Sequence, residues 1–187
     1  MGGPVREVQG PRRTAPLNEG RRDSRPPAPT DVRRTGRVLA GVATIVAVDQ
    51  ATKAWAVTNL ADGPKHLIGN TVEFSLTRNG GSAFSRFQGM TPFLAVGAII
   101  VTVVLVRVLH DATDRVLVVA LSLVLGGALG NLTDRFLRAP GFLRGHVVDF
   151  VAIGWWPVFN VADSCITVGA VLLILRSLRA PPSRPRP

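Results

Sequence analysis

The sequence predicts an all-α membrane protein, with four transmembrane helices and a small extracytoplasmic β-platform between the first two. Three observations carry that prediction. Hydrophobic residues make up 47% of the 187, yet 22 lysines and arginines bring the net charge to +10, so charge and apolarity are segregated along the chain. Four apolar segments, Val38 to Leu60, Phe87 to Val106, Val116 to Thr133 and Trp155 to Leu175, have the length of about 17–25 residues that a spanning helix needs. They show no period-2 alternation, which favours helices over barrel strands. Between the first two segments, Thr71-Val72-Glu73-Phe74-Ser75-Leu76 does alternate, as a short strand should.

Each element follows in chain order. Residues 1–37 hold nine arginines and six prolines with almost no large apolar side chains, so residues 1–36 are expected to be a disordered basic tail. The first apolar segment is expected to stay in the membrane. Its polar leader is too long for a signal peptide, and no small-residue cleavage site is evident. The stretch Asp49-Gln50-Ala51-Thr52-Lys53 interrupts it. On a helix Asp49 and Lys53 can pair on one face, either to fix depth or to scaffold an outer-face site. After the strand, Asn79-Gly80-Gly81 demands a turn with positive φ that brings backbone close to a ligand.

The second apolar segment carries no charge. The third ends in GGALGNLTDRF, where Gly126 and Gly130 are spaced for close helix contact. Asn131, Asp134 and Arg135 share one face there, and residue chemistry alone favours a structural Asp134–Arg135 pair. In the fourth segment the one charged residue is Asp163, with Asn160 three positions before it on the same face. Trp155 and Trp156 are expected to mark the outer headgroup boundary. Residues 37–178 thus form the membrane domain, and 179–187 a second disordered tail.

With four spans, Arg33, Arg34, Arg37, Arg107, Arg115, Arg176 and Arg179 fall on one side. That modest bias favours both termini in the cytoplasm. Asp49, Asp134, Asp149 and Asp163 then converge toward the outer face. Two carboxylates brought together cannot easily both ionise, so they share a proton. That arrangement activates water against an amide and protonates the leaving nitrogen. Asp163 could instead cap its helix, with Asp149 a solvated loop residue. A proton-coupled carrier would place its carboxylates near the midplane and show repeats, neither of which is evident. A structural scaffold would tolerate loss of both aspartates.

Other chemistries have less support. Cys165 lies inside an apolar run, where a packed thiol is expected. His66, His110 and His146 are scattered, with no metal-ligand spacing, so no metal or cofactor is expected. The basic residues lie in tails and short loops without interleaved aromatics, which argues against nucleic acid.

Five motifs in order give the chain a resemblance. Asp49 to Lys53 (D-Q-x-T-K), Arg78 to Phe84 (R-N-x-G-x-A-F), Gly126 to Arg135 (G-G-A-x-G-N-x-x-D-R), Val147 to Phe150 (V-V-D-F) and Phe159 to Asp163 (F-N-x-A-D) resemble lipoprotein signal peptidase, or signal peptidase II. The likeness covers roughly residues 38–178 and departs in two places: at Ser82, where the family usually has alanine, and from Asp149 to Asp163, a stretch shorter than in many relatives. It implies a four-span aspartic peptidase of the bacterial inner membrane, with its site facing outward. The substrate would be a prolipoprotein cut just before a diacylglyceryl-modified cysteine. The resemblance puts the catalytic pair on Asp149 and Asp163. It gives supporting or substrate-binding roles to Asp49, Lys53, Asn79, Gly81, Asn131, Asp134, Arg135 and Asn160. Asp134 competes with Asp149, but its adjacent arginine would keep it occupied. The expected partners are the prolipoprotein and membrane lipid, with the enzyme a monomer.

Overall fold

A computed structural model describes residues 3, 32–69, 71–81 and 91–179. The tail expectations for residues 1–31 and 180–187, and the expectations for Ser82 and for a span opening at Phe87, lie outside those residues.

Among the described residues, four helices and four strands follow in the order α1 (Val32–Asn59), β1 (Lys65–Ile68), β2 (Val72–Asn79), α2 (Thr91–Asp111), α3 (Arg115–Leu137), β3 (Val147–Ile153), β4 (Trp156–Phe159) and α4 (Val161–Arg179). Three helices among the described residues, α2, α3 and α4, are long and apolar enough to cross a membrane. The polar stretch from Asp49 to Lys53 leaves α1 short of that apolarity. Helix α1 also begins five residues inside the segment expected to be a tail.

The burial pattern is that of a membrane protein. Outward-facing Phe93, Ile100, Val104, Ile174 and Leu178 are exposed, whereas Asp49, Lys53, Asp134, Asp149 and Asn160 are 0–2% exposed. A chain in water would bury the first set before the second.

Helix α3 is central and packs against α1, α2 and α4. Its glycines permit this. An added Cβ would stand 2.8 Å from Ile45 of α1 at Gly126 and 2.6 Å from Asp49 at Gly130. Small residues thereby let backbones approach and bring the polar side chains of α1 onto α3.

The sheet extends further than the sequence predicts. It is antiparallel in the order β1-β2-β3-β4, so strands from the α1–α2 connection pair with strands from the α3–α4 connection. Trp155 to Phe159 are therefore not the start of a span: Trp156–Phe159 is β4, and α4 begins at Val161. A short apolar run does not by itself separate a strand from a helix. The signal that would have separated them is Gly154, whose φ of 51° opens a two-residue hairpin closing Ile153 against Trp156. In β3, Val148 and Phe150 pack with Ala56 of α1 and with Leu60 just beyond its end, and alternation turns Asp149 to the opposite face.

The loop from α3 to β3 returns the chain tightly onto α3. Gly145 donates its N–H to the Arg135 carbonyl at 3.2 Å, and a Cβ there would collide with the Asp134 carbonyl. Only glycine allows that approach, and it delivers β3 to the polar end of the bundle.

Candidate active site

The polar side chains form two connected groups with different chemistry. The first is an ion-pair core. Lys53 Nζ donates to Asp49 Oδ2 at 2.8 Å, Asp134 Oδ2 at 2.9 Å and Asn131 Oδ1 at 2.9 Å, which uses all three of its protons. Asp134 also accepts from Arg138 Nε at 2.6 Å, Gln50 Nε2 at 3.2 Å and the Val148 amide at 3.1 Å. Asp49 accepts from the Ala162 amide in the first turn of α4 at 3.0 Å. Both carboxylates are thus saturated.

The expected Asp49–Lys53 pair is present. The expected Asp134–Arg135 pair is not: on α3 Arg138, four residues on, faces Asp134, while Arg135 Nη1 turns back to the Asn131 carbonyl at 3.1 Å. Adjacent residues on a helix point about 100° apart, whereas residues four apart meet. Arg138 and Gln50 are the members of this core that the sequence reading missed. The Asp134–Arg138 spacing was the available signal.

The second group holds Asp149 and Asp163, joined through Asn160. Asn160 Nδ2 donates to Asp149 Oδ1 at 2.7 Å, and Asn160 Oδ1 accepts from the Asp163 amide at 2.9 Å. Asp163 Oδ2 accepts from the Asn160 amide at 3.2 Å. Residues 160–163 are thus a reciprocal capping box that starts α4. Asp163 does cap its helix, and its second oxygen remains directed at the site, accepting from Asn131 Nδ2 at 2.8 Å. Lys53 bonded to Asn131 Oδ1 fixes which end of that amide faces Asp163.

Asn79, at the end of β2, donates Nδ2 to Asp149 Oδ2 at 3.0 Å. Its Oδ1 accepts from the Gly81 amide at 2.7 Å, and Gly81 takes φ 90°, the positive value expected of the turn. Gly81 shapes this turn and holds Asn79, and through it Asp149, in place.

Among the described residues, neither Asp149 nor Asp163 is in an ion pair. Asp149 lies on β3 with 2% of its surface exposed. Burial pushes its carboxyl up to about 6; the Asn79 and Asn160 donors oppose that, and the Asp163 carboxylate adds to it. Arg135 stands beside this group with Nε buried and unpartnered among the described residues.

Gly126 and Gly130 are filled by Ile45 and Asp49. They hold helices together and leave no room for a ligand beside them.

Comparisons with known proteins agree with this architecture. The family Signal peptidase (SPase) II matches residues 41–179. The lipoprotein signal peptidase of Rhodococcus jostii (strain RHA1) is 48% identical over 156 residues, covering 83% of this chain and 79% of that protein. That of Mycobacterium avium (strain 104) is 48% identical over 147 residues, covering 78% and 81%. A solved bacterial membrane enzyme, determined by the in meso method at 1.9 Å, superposes with a TM-score of 0.69 at 31% identity, over 78% of this chain and 95% of that one. A second, at 2.3 Å, gives 0.68 at 29% identity, over 81% and 95%.

Proposed function

The chain belongs to the signal peptidase II family, and from that premise we propose that it is an aspartic endopeptidase of the bacterial inner membrane. It removes the signal peptide of prolipoproteins by cutting before a diacylglyceryl-modified cysteine, with Asp149 and Asp163 as the dyad. One observation carries this reading. Of the four clustered aspartates, Asp49 and Asp134 are saturated by Lys53, Arg138 and backbone amides, while Asp149 and Asp163 meet neutral amides and share Asn160.

The chemistry follows from that difference. A water between the two carboxylates gives a proton to the ionised member and attacks the scissile carbonyl. The protonated member first hydrogen-bonds the carbonyl oxygen, and a proton then passes to the leaving nitrogen as the C–N bond breaks. Asn160 holds Asp149 by its side chain and Asp163 by its backbone, so the pair keeps its spacing as charge moves.

In this reading α1 is a fourth span, both termini are cytoplasmic, the site faces outward, and the enzyme acts as a monomer without nucleic acid. The exposed Trp155 and Trp156 at the β3–β4 turn suit the headgroup layer, at the same end of the bundle as the dyad. A diacylglyceryl group would hold the scissile bond at that depth, at about 0.8 kcal/mol per buried methylene. The deciding experiment incubates purified protein with lipidated and unlipidated precursor. Release of signal peptide mainly from the lipidated form is expected; equal cleavage of both would refute the assignment.

The raised Asp149 carboxyl gives a pH signature. The pair holds its shared proton below about 6, so kcat/KM should fall as pH rises through that value. Removing the Asn79 donor raises the carboxyl further, and Asn79→Ala should move this alkaline limb to higher pH. A limb unmoved by Asn79→Ala would remove Asp149 as its origin. The sign for stability is the same. The folded state binds this proton more tightly than the unfolded state, so this contribution declines as pH rises from the ordinary 3.8 to about 6.

A further inference from the structure

At the end of the bundle away from the dyad, a crevice of about 810 Å³ opens between α1 and α3. Its walls change character with depth. Arg34 and Arg37 of α1 and Arg115 of α3 lie at the helix beginnings, while Val38, Val118 and Leu123 line it further in. Ile45, seated on Gly126, closes α1 against α3 at the inner end. From Arg34 to Ile45 is about 16 Å along a helix, at about 1.5 Å per residue. That is close to half of a hydrocarbon core of about 30 Å. The crevice therefore has cations at a membrane edge and an apolar slot about one leaflet deep.

We propose that this crevice binds one anionic phospholipid, its phosphodiester among Arg34, Arg37 and Arg115 and an acyl chain along the slot. Charge selects the occupant. Guanidinium groups recognise phosphate through paired N–H donors, and basic pockets between helices at a membrane edge suit acidic headgroups. The neighbouring carboxylate Asp114 does not compete, since it is held by Arg176 Nε at 2.9 Å and by the Leu117 amide at 2.8 Å. A signal peptide is a poor occupant because its leading region is itself positively charged. Gly41 lines the slot and faces open space, as an added Cβ there meets nothing within 4 Å.

Native mass spectrometry of the full chain in detergent tests this, with phosphatidylglycerol or phosphatidylcholine offered as the probe. One phosphatidylglycerol should be retained, and phosphatidylcholine at least about tenfold less. The pair Arg37→Ala with Arg115→Ala removes the charge, and Gly41→Leu fills the slot while facing open space, so its melting temperature should hold. Each should reduce phosphatidylglycerol retention about tenfold. Equal retention of the two lipids, wild-type retention by both variants, or displacement of the lipid by a basic leader peptide would each overturn the proposal.

Discussion

Asp149→Asn and Asp163→Asn are each expected to lower signal-peptide release by about 10²–10⁴-fold, the range that a positioned acid or base contributes. The double variant should be no worse than the poorer single one, because the two act as one proton-sharing unit. The surroundings make the two losses differ in kind. Asp149 accepts one amide donor on each oxygen, from Asn79 and Asn160, so an asparagine there must turn its own NH2 toward one of them. Asp163 also accepts the Asn160 amide to start α4, so Asp163→Asn should additionally cost about 1 kcal/mol of helix stability. Turnover and melting temperature measured together separate these effects. Asp134→Asn is the contrast: it lies in the saturated ion-pair core and should lower melting temperature more than turnover. Near-normal turnover in either dyad variant would remove that residue from the mechanism.

The sequence disclosed some of this architecture through signals of different strength. Helices α2 and α3 were legible because an uncharged apolar run of that length has few other solutions. The four aspartates were legible because a carboxylate in such a run needs a reason. Strands β3 and β4 were not recognised. Buried on both faces at its start, β3 shows no alternation, and Trp155 to Phe159 read as the continuation of a span. The partner of Asp134 is Arg138 and not the neighbouring Arg135, because adjacent helix residues point apart while residues four apart meet. Nor could sequence alone show that Asn160 both caps α4 and bridges the dyad, since that depends on β3 reaching α4 through the Gly145 turn. The close helix contact at Gly126 and Gly130 was legible from their spacing, and its partner was not. Small residues in a membrane helix mark close contact, and here the contact is with α1.

Lys53→Met should be the most damaging single change to stability. Methionine keeps the unbranched stem but leaves Asp49 and Asp134, both fully buried, without the cation between them. Removing one partner of a buried ion pair costs about 3–5 kcal/mol, which for a chain of this size lowers the melting temperature by roughly 6–20 °C. Arg138→Ala should cost far less, since its side chain is 27% exposed and solvent can replace part of the contact. The mechanism can be checked by adding Asp49→Asn to Lys53→Met, because Asp49 is then left with no cation while Asp134 keeps Arg138. If uncompensated charge is the cause, the double variant should recover part of the lost melting temperature, although it lacks one more native group. Activity should not recover with it. Lys53 also fixes the Asn131 amide that donates to Asp163, and a freed amide can present its oxygen to that carboxylate instead. A double variant melting below Lys53→Met would mean that lost hydrogen bonds, and not unpaired charge, set the cost.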